Sequence, residues 1–439
     1  MSNDSRSKQF LRVMKNPDGP PLSMVQKMWH QLEQAGLGAE AFVCASRAQK
    51  DIIEYQLGNV PFIEEPERRD TFPAIALASL CLKDIHQVDP SEVVIVMPID
   101  HEVEDAYFTE IAKLERVLEE SHAELALMGV VPTEPTSKFG YIHVSDHAPT
   151  RAWKAVDYFV EKPPLDEAER LVEEGALWNC GVFSFRLSSI IDYLTSHHWP
   201  TTYLDFVSEF SKLPKLSFDY AVVERAASIV VLPYQGKWKD IGTWEALTEE
   251  WDEPMLGKGE LIDCEDTHVV NEFGVPLVAM GLKNTIIVTT PDGMLIADKS
   301  MSSRIKEVAG HWSDRPMVEE RFWGTYKVMD YQKLEDGTEV LTKWVEIDTG
   351  KHLKYQKHKS RVEIWTIVDG AGEVVLDGQV RIVRPGDVVT IAENTWHTLR
   401  AITKLRLVEV QRGHELIDED VQRSELSWDE ILLSPNDTL

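Results

Sequence analysis

The sequence predicts an α/β layer fold over residues 1–256, a small β segment over 257–310 and an all-β sandwich or barrel over 322–413, with an acidic tail at 414–439. Three observations lead there. Helical and strand patterns alternate through the first half. Turn signals crowd between short apolar runs after residue 257. Strand patterns dominate from about Phe322 to Val410. At roughly 100–200 residues per domain, 439 residues suggest two or three domains.

Residues 23–35 (SMVQKMWHQLEQA) have helical spacing, and 41–45 (AFVCA) read as a short buried strand. Residues 72–87 form an apolar helix, 92–97 (EVVIVM) a β-branched strand ending at Pro98, 104–121 one amphipathic helix, and 124–131 another strand. Strands separated by helices imply parallel pairing within an α/β layer fold. In 257–300, runs such as VPLVAMGL and NTIIVTT sit between the turns Asn-Glu-Phe-Gly and Pro-Asp-Gly. Residues 301–320 read as a polar linker. Beyond it, turns at Asp336-Gly337, Asp369-Gly370, Asp377-Gly378 and Pro385-Gly386 space the strands as a small antiparallel sandwich or barrel does.

Hydrophobic residues at 43% supply a sizeable core, and 27% charged residues suit a globular surface. The 45 basic residues against 74 acidic leave a net charge of −29. Nucleic acid and anionic membrane are therefore poor partners, because phosphate backbones need a basic stripe. Phosphates can still bind where local Lys, Arg, helix N-termini or a divalent metal permit. Cys44, Cys81, Cys180 and Cys264 have no metal spacing and read as reduced thiols. The start, MSNDSRSKQF, lacks the apolar core of a signal peptide. The longest apolar stretch, Phe72 to Leu82, falls well short of the ~20 residues that span a bilayer. A cytoplasmic protein is expected.

Ligands of open α/β sheets gather at the carboxyl ends of the strands. Asp100 sits there, in VIVMPIDHEV, and Asp240 in GKWKDIGTW follows the apolar run IVVLPY. Alone, each is an ordinary turn or cap residue. On separate strand ends, the pair could share one Mg²⁺, which prefers oxygen ligands and keeps substrate phosphates in its shell.

Eight segments change the odds when taken in order. They are SRSKQFL (5–11), SMVQ (23–26), RRDTFPAIA (68–76), TSKFGYI (136–142), YFVEKP (158–163), LWNCGVFSFR (177–186), SFDYAVVERA (217–226) and WKDIGTW (238–244). Together they resemble the mannose-1-phosphate guanylyltransferases, from the first residues to about 310. The resemblance implies a Rossmann-like, glycosyltransferase-A-like nucleotidyltransferase domain that takes GTP and mannose 1-phosphate. It implies catalytic roles for Lys8, Asp100, Lys162 and Asp240, with Mg²⁺ on the two aspartates. Glu161, Asn179 and the backbone at Gly140, beside Gly181, would hydrogen-bond the sugar, and Arg69 and Thr71 would lie near the nucleotide. The family usually has Asn where this chain has Asp70. Neither a nucleic acid nor a membrane is implied as a partner, and a homo-oligomer is compatible with the resemblance.

The family begins with a strand and a Gly-rich loop carrying an Arg, then Trp-Pro-Leu-Ser, then the Lys-Gln-Phe-Leu segment. Here Met1 stands about where that Leu falls, and Ser2 takes the place of the Ser. The expected domain therefore lacks its first strand, and the loop whose N–H groups would cradle phosphate is absent. Neighbouring strand edges should be left unpaired. A start codon placed too late is the favoured explanation, since the downstream motifs are intact. A truncated, non-catalytic nucleotide- or sugar-phosphate-binding regulator is the other. The 439-residue chain alone is expected to turn over GTP poorly.

Residues 350–370 read GKHLKYQKHKSRVEIWTIVDG. Strand alternation puts Gln356 and His358 on one face, with Glu363 on the next strand. GDVVTIAENTWH then supplies His397. Two His, a Glu and a Gln could bind Zn²⁺ or another divalent metal. The spacing resembles a cupin, with Gln356 in place of the usual first His, Ala392 in place of a Pro and Asn394 in place of a Gly. The domain is similar to the C-terminal half of bifunctional enzymes that also interconvert mannose 6-phosphate and fructose 6-phosphate. Isomerase activity is a secondary expectation, because cupins often keep the barrel without its chemistry.

Overall fold

The computed structural model describes residues 7–16, 19–145, 152–251, 253–309, 315–417, 420–424 and 426–433. The expectations for Met1 and Ser2 lie outside them. The chain forms two compact units. One holds residues 8–50 and 60–254; the other holds 51–59 and 255 onward.

In the first unit, β1 (Val43–Ser46) and β2 (Phe62–Glu65) pair in parallel as a two-stranded sheet. Next come β3 (Val93–Val96), β4 (His101–Val103), β5 (Leu125–Val130), β6 (Tyr141–Val144), β7 (Lys154–Val160), β8 (Leu177–Arg186), β9 (Ile229–Tyr234) and β10 (Trp238–Asp240). Six of them form a sheet in the order β3-β8-β5-β9-β7-β6, and β4 pairs with β10. The predicted parallel sheet is mixed instead. Within the six strands only β5 and β9 run parallel, while β8 lies between β3 and β5 and opposes both. β8 is a ten-residue, mostly apolar run reached after a long excursion from β5. Helix–strand alternation does not dictate direction after such a connection.

Successive residues of a strand point to opposite faces, so β3 serves two cores. Val94 and Val96 pack with Phe72, Leu77 and Phe185, and Val93 and Ile95 pack with Tyr107, Phe108 and Leu118. The helix Thr71–Asp84 is apolar nearly all round and buries Phe72, Leu77 and Leu80 completely. Truncating Phe72 to Ala should cost about 3–5 kcal/mol on this account. Among the described residues, β1 pairs only with β2 and β3 only with β8. All four residues of β3 remain half-buried despite their apolar side chains.

The SMVQ segment has a local explanation as well. Ser23 caps the helix Met24–Gln34: its hydroxyl accepts from the Gln26 N–H, and the Gln26 side chain accepts from the Ser23 N–H. The single helix expected over 104–121 is two, Ala106–Ile111 and Leu114–Ser121. The Lys113 N–H bonds three residues back, to Glu110, and this tight turn breaks the run. Phe108, Ile111, Leu114 and Leu118 still share one core, which is why their spacing read as continuous.

The second unit opens with β11 (Met255–Gly257), β12 (Gly259–Ile262), β13 (His268–Asn271), β14 (Leu277–Met280), β15 (Thr285–Thr290) and β16 (Gly293–Asp298). β11, β13 and β15 stack in parallel, as do β12 and β14, and β16 returns antiparallel to β15. The expected linker at 301–320 instead carries a helical turn, Ile305–Ala309, and the strand β17 (Val318–Arg321). In this same unit, the helix Lys50–Leu57 meets β17 through Asp51–Arg321 (2.5 Å) and Gln56–Glu320 (2.9 Å).

The all-β domain contains β18 (Gly324–Lys333), β19 (Glu339–Ile347), β20 (Tyr355–His358), β21 (Arg361–Asp369), β22 (Gly372–Leu376), β23 (Gln379–Val383), β24 (Val388–Ile391), β25 (His397–Ala401), β26 (Leu405–Gly413) and β27 (Val421–Ser424). One sheet runs β17-β18-β19-β26-β21-β24, and the other β23-β22-β25-β20-β27. The alternation of β21 and β26 puts Trp365, Ile367, Leu405 and Leu407 in a shared apolar core. The acidic tail is not peripheral throughout. β27 pairs with β20, and the helix Trp428–Leu433 buries Trp428 and Ile431. Ladder bonds come from the backbone, so acidic composition did not reveal this strand. No helix among the described residues is long and apolar enough to cross a membrane.

Candidate active site and a buried histidine–glutamate cluster

β4 and β10 form a three-residue antiparallel ladder that sets Asp240 directly opposite His101. The Ile241 N–H donates to the Asp100 carbonyl (3.2 Å), and Lys8 Nζ donates to the Ile241 carbonyl (3.1 Å). Lys8, Asp100 and Asp240 therefore converge although 232 positions separate the first from the last. Asp240 sits at the end of its own short strand, not in the turn directly after IVVLPY. Gly242 donates its N–H to Asp240 Oδ1 (2.7 Å), which fixes the carboxylate. His101 packs against Asp100 and is buried. Burial lowers its pKa, against the opposing pull of Asp100 and Asp240, with Lys8 lowering it further.

A second group forms around β8. Opposite β5 the register slips, with Leu127 facing Phe183 but Gly129 facing Asn179, so β8 bulges. Gly181 supplies the φ of +73° that this bulge needs. The bulge turns Asn179 toward Gly140, whose carbonyl accepts the Asn179 N–H (2.8 Å). Glu161 lies beside Gly140, and Lys162 Nζ donates to Glu161 Oε1 (2.6 Å). That bond raises the Lys162 pKa against its partial burial. A Cβ on Gly181 would stand 3.4 Å from Pro98, two residues before Asp100, so this group adjoins the aspartate pair. A residue given no role above joins it: Asp219, which accepts from Asn179 Nδ2 (2.6 Å). It lies in the SFDYAVVERA segment, which carried the resemblance without assigning Asp219 a role.

A Cβ on Gly140 would fall 2.5 Å from Glu161 Oε2 and 2.6 Å from the Phe159 ring. Gly140→Ala is therefore expected to destabilise the first unit by about 1–3 kcal/mol, as overpacking does, read as a lowered melting temperature.

Arg69 and Thr71 are tied elsewhere. Arg69 donates to the Leu213 carbonyl (2.8 Å) and to Glu67 (2.7 Å), and Thr71 Oγ1 accepts the Phe218 N–H (2.8 Å). Asp70 has φ +71° and caps the helix at Thr71. The described bonds of Arg69 and Thr71 thus hold the 213–218 segment, which leads into Asp219, and do not reach the Asp100–Asp240 pair.

In the all-β domain, His358 on β20, Glu363 on β21 and His397 on β25 are all buried, and their ligand atoms lie within 4.8 Å of one another. Glu363 reaches His358 Nε2 at 2.8 Å and His397 Nε2 at 3.6 Å. Gln356 lies directly across the ladder from His397. Gln411 donates to Glu363 (3.0 Å), and Arg361 donates to Gln411 (3.1 Å), two supporting residues that the motif spacing did not reveal. Burial would push the Glu363 carboxyl up, but the His358 bond and the nearby His397 and Arg361 hold it at about 2.

Comparison with known proteins places this geometry. The nucleotidyl transferase family model matches residues 4–253, and the mannose-6-phosphate isomerase C-terminal model matches 314–426. The mannose-1-phosphate guanylyltransferase RfbM of Salmonella typhimurium is 31% identical over 469 aligned positions, covering 97% of this chain and 93% of that protein. The chain belongs to the mannose-1-phosphate guanylyltransferase family. Another member, from Escherichia coli, is 30% identical, covering 82% of this chain and 81% of its own. The crystal structure of a mannose-1-phosphate geranyltransferase from Thermus thermophilus is similar with a TM-score of 0.60 and 25% identity, over 71% of this chain and 94% of that one. The nucleotidyltransferase-like first unit and cupin-like barrel agree with the resemblance drawn from the motifs.

The histidine–glutamate cluster of this guanylyltransferase-family chain passes a simple test for a divalent ion. His397 Nδ1 lies 2.8 Å from the Thr395 carbonyl. A carbonyl only accepts, so Nδ1 carries the proton and Nε2 presents a lone pair. The two Nε2 atoms are 3.2 Å apart, close to the separation that two Zn–N bonds of about 2.0–2.1 Å at a tetrahedral angle require.

The metal-free protein should be acid-sensitive here. The Glu363 pKa is depressed on folding, so its stabilisation is fully present above the ordinary value near 4.5 and is lost as the pH falls through about 2. Near-UV circular dichroism along an acid titration is expected to show this loss, and Glu363→Gln should flatten it.

Proposed function

We propose that the chain transfers GMP from GTP to mannose 1-phosphate, giving GDP-mannose and pyrophosphate. The observation that carries this reading is the β4–β10 ladder, which brings Asp100, Asp240 and Lys8 together. An oxygen of mannose 1-phosphate attacks the α-phosphorus of GTP. A new P–O bond forms as the bond to the pyrophosphate oxygen breaks in line. A phosphate monoester is largely dianionic at pH 7, its second pKa being about 6, so no general base is required. The work is electrostatic: two anions must be held together and the departing pyrophosphate neutralised.

Asp100 and Asp240 are half-exposed and both act electrostatically on His101, and two such carboxylates are a donor set that fits Mg²⁺. When bound, Mg²⁺ supplies charge neutralisation at the reacting phosphates. Lys8 and Lys162 act as compact positive charges on phosphate oxygens. Glu161, Asn179 and the Gly140 backbone hydrogen-bond the sugar, and unpaired polar groups would penalise a wrong hexose. Gly181 keeps Asn179 in its bulge, and Arg69 and Thr71, expected near the nucleotide, anchor the 213–218 segment that leads to Asp219. This is cytoplasmic chemistry, with neither nucleic acid nor membrane as partner, and it is compatible with a homo-oligomer.

The test is incubation with GTP, mannose 1-phosphate and Mg²⁺, scoring pyrophosphate. Both this chain and a form extended by any in-frame upstream sequence are assayed. Pyrophosphate release that depends on mannose 1-phosphate supports the reading. Release in neither form, or equal rates with any sugar 1-phosphate, overturns it.

A second activity is favoured by the cluster of His358, Glu363 and His397 beside Gln356. These residues would hold Zn²⁺ or another divalent ion for interconversion of mannose 6-phosphate and fructose 6-phosphate. His358→Ala should then abolish that interconversion and leave GDP-mannose formation alone.

A further inference from the structure

We infer that Asp219 is a positioning residue of the sugar-phosphate site: it locks the Asn179 carboxamide in one orientation, so that one amide N–H and one oxygen lone pair remain for the hexose. This rests on the proposed transfer to a sugar 1-phosphate and adds a residue to it.

Two contacts impose the lock. Asn179 Nδ2 donates to Asp219 Oδ1 at 2.6 Å, and the Gly181 N–H donates to Asn179 Oδ1 at 3.0 Å. An ionised carboxylate only accepts, and a backbone N–H only donates. Rotating the amide by half a turn would set oxygen against carboxylate and NH₂ against N–H, losing both bonds at once. A carboxamide has two N–H donors and two oxygen lone pairs. One of each is used, and one of each is left.

The surroundings place those remaining groups at the sugar site. The Asn179 backbone N–H is held by the Gly140 carbonyl, and Glu161 and Lys162 act electrostatically on Asp219. Burial raises the Asp219 carboxyl to about 6, with Glu161 adding to the rise and the Asn179 bond and Lys162 opposing it. Above that value the group is ionised and accepts only. The helix Phe218–Ala221 that carries Asp219 is itself fixed at its start, where the Ser217 side chain accepts the Tyr220 N–H and Thr71 Oγ1 accepts the Phe218 N–H. The segment 69–71 therefore reaches the sugar site indirectly, through Thr71, Asp219 and Asn179 in turn.

The test is calorimetric binding of mannose 1-phosphate and, separately, of GTP with Mg²⁺ to the wild type, Asp219→Ala, Asp219→Asn, Asn179→Ala and the Asn179→Ala/Asp219→Ala double variant. Asp219→Ala should weaken mannose 1-phosphate about tenfold, the worth of a hydrogen bond to a charged group. Asp219→Asn should weaken it less, because a carboxamide can still accept from Asn179 Nδ2. GTP affinity should stay within about twofold, and in the Asn179→Ala background the second substitution should add nothing, as coupling between contacting residues requires. Unchanged mannose 1-phosphate binding in Asp219→Ala overturns the inference. So does a parallel loss for both ligands, or a full further loss in the double variant. A wild type that binds mannose 1-phosphate while the variants match it sinks this inference alone. A wild type that binds no sugar 1-phosphate sinks the proposed function along with it.

Discussion

Asp240→Asn is expected to lower GMP transfer by about 10²–10³-fold, the range found when one preorganised electrostatic group at a reacting centre is removed. The substitution is nearly isosteric. Its side-chain oxygen can still accept the Gly242 N–H that now bonds Asp240 Oδ1, so the β4–β10 ladder and the fold should persist. What disappears is one of the two carboxylates proposed to hold Mg²⁺, and with it much of the affinity expected for that ion. Asp100→Asn should behave alike, and the double variant should be little worse than either single one, because groups acting as a unit are not additive. Pyrophosphate release is measured on the most active form of the protein, with a melting curve as control. A loss smaller than about tenfold, with the fold intact, would remove the aspartate pair from the chemistry.

The second large effect is expected at Glu363. Its side chain is buried between His358 and His397 and accepts from Gln411. Glu363→Ala leaves two imidazoles without their acid and Gln411 without its acceptor. Breaking such a buried group by removing one partner costs about 3–5 kcal/mol, so the barrel's melting temperature should drop clearly. Glu363→Gln keeps the volume and some hydrogen bonding, and should melt closer to wild type. Both variants should lose bound divalent metal, measured by elemental analysis after dialysis, because a neutral amide is a poor replacement for a carboxylate ligand. Metal retained at wild-type stoichiometry in Glu363→Ala would exclude the cluster as a metal site.

Much of the candidate site could be read in advance because its parts are local. Asp100 follows a β-branched run that ends at a proline, and His358 and Gln356 share a face by strand alternation. The helix Met24–Gln34 announced itself by apolar spacing and by the Ser23–Gln26 pair that caps it. Other features had no local signature. Asp219 lies in the SFDYAVVERA segment, but nothing in that segment ties it to Asn179, 40 positions away; only the 2.6 Å contact does. Arg361 and Gln411 stand 50 positions apart and meet because β21 and β26 pair. The break between residues 111 and 114 was hidden, since both halves keep their apolar faces on one core.

By itself the sequence determined the layer types, the turns and the chemical identity of the candidate groups, because periodicity, caps and turn residues act over a few positions. Only the tertiary structure decided that β8 runs antiparallel between β3 and β5, that Asp240 lies across from His101, and that a strand of the acidic tail pairs with β20. Strand pairing is a contest among distant backbone edges, settled by the burial of whole faces together, and no short window of residues carries its result.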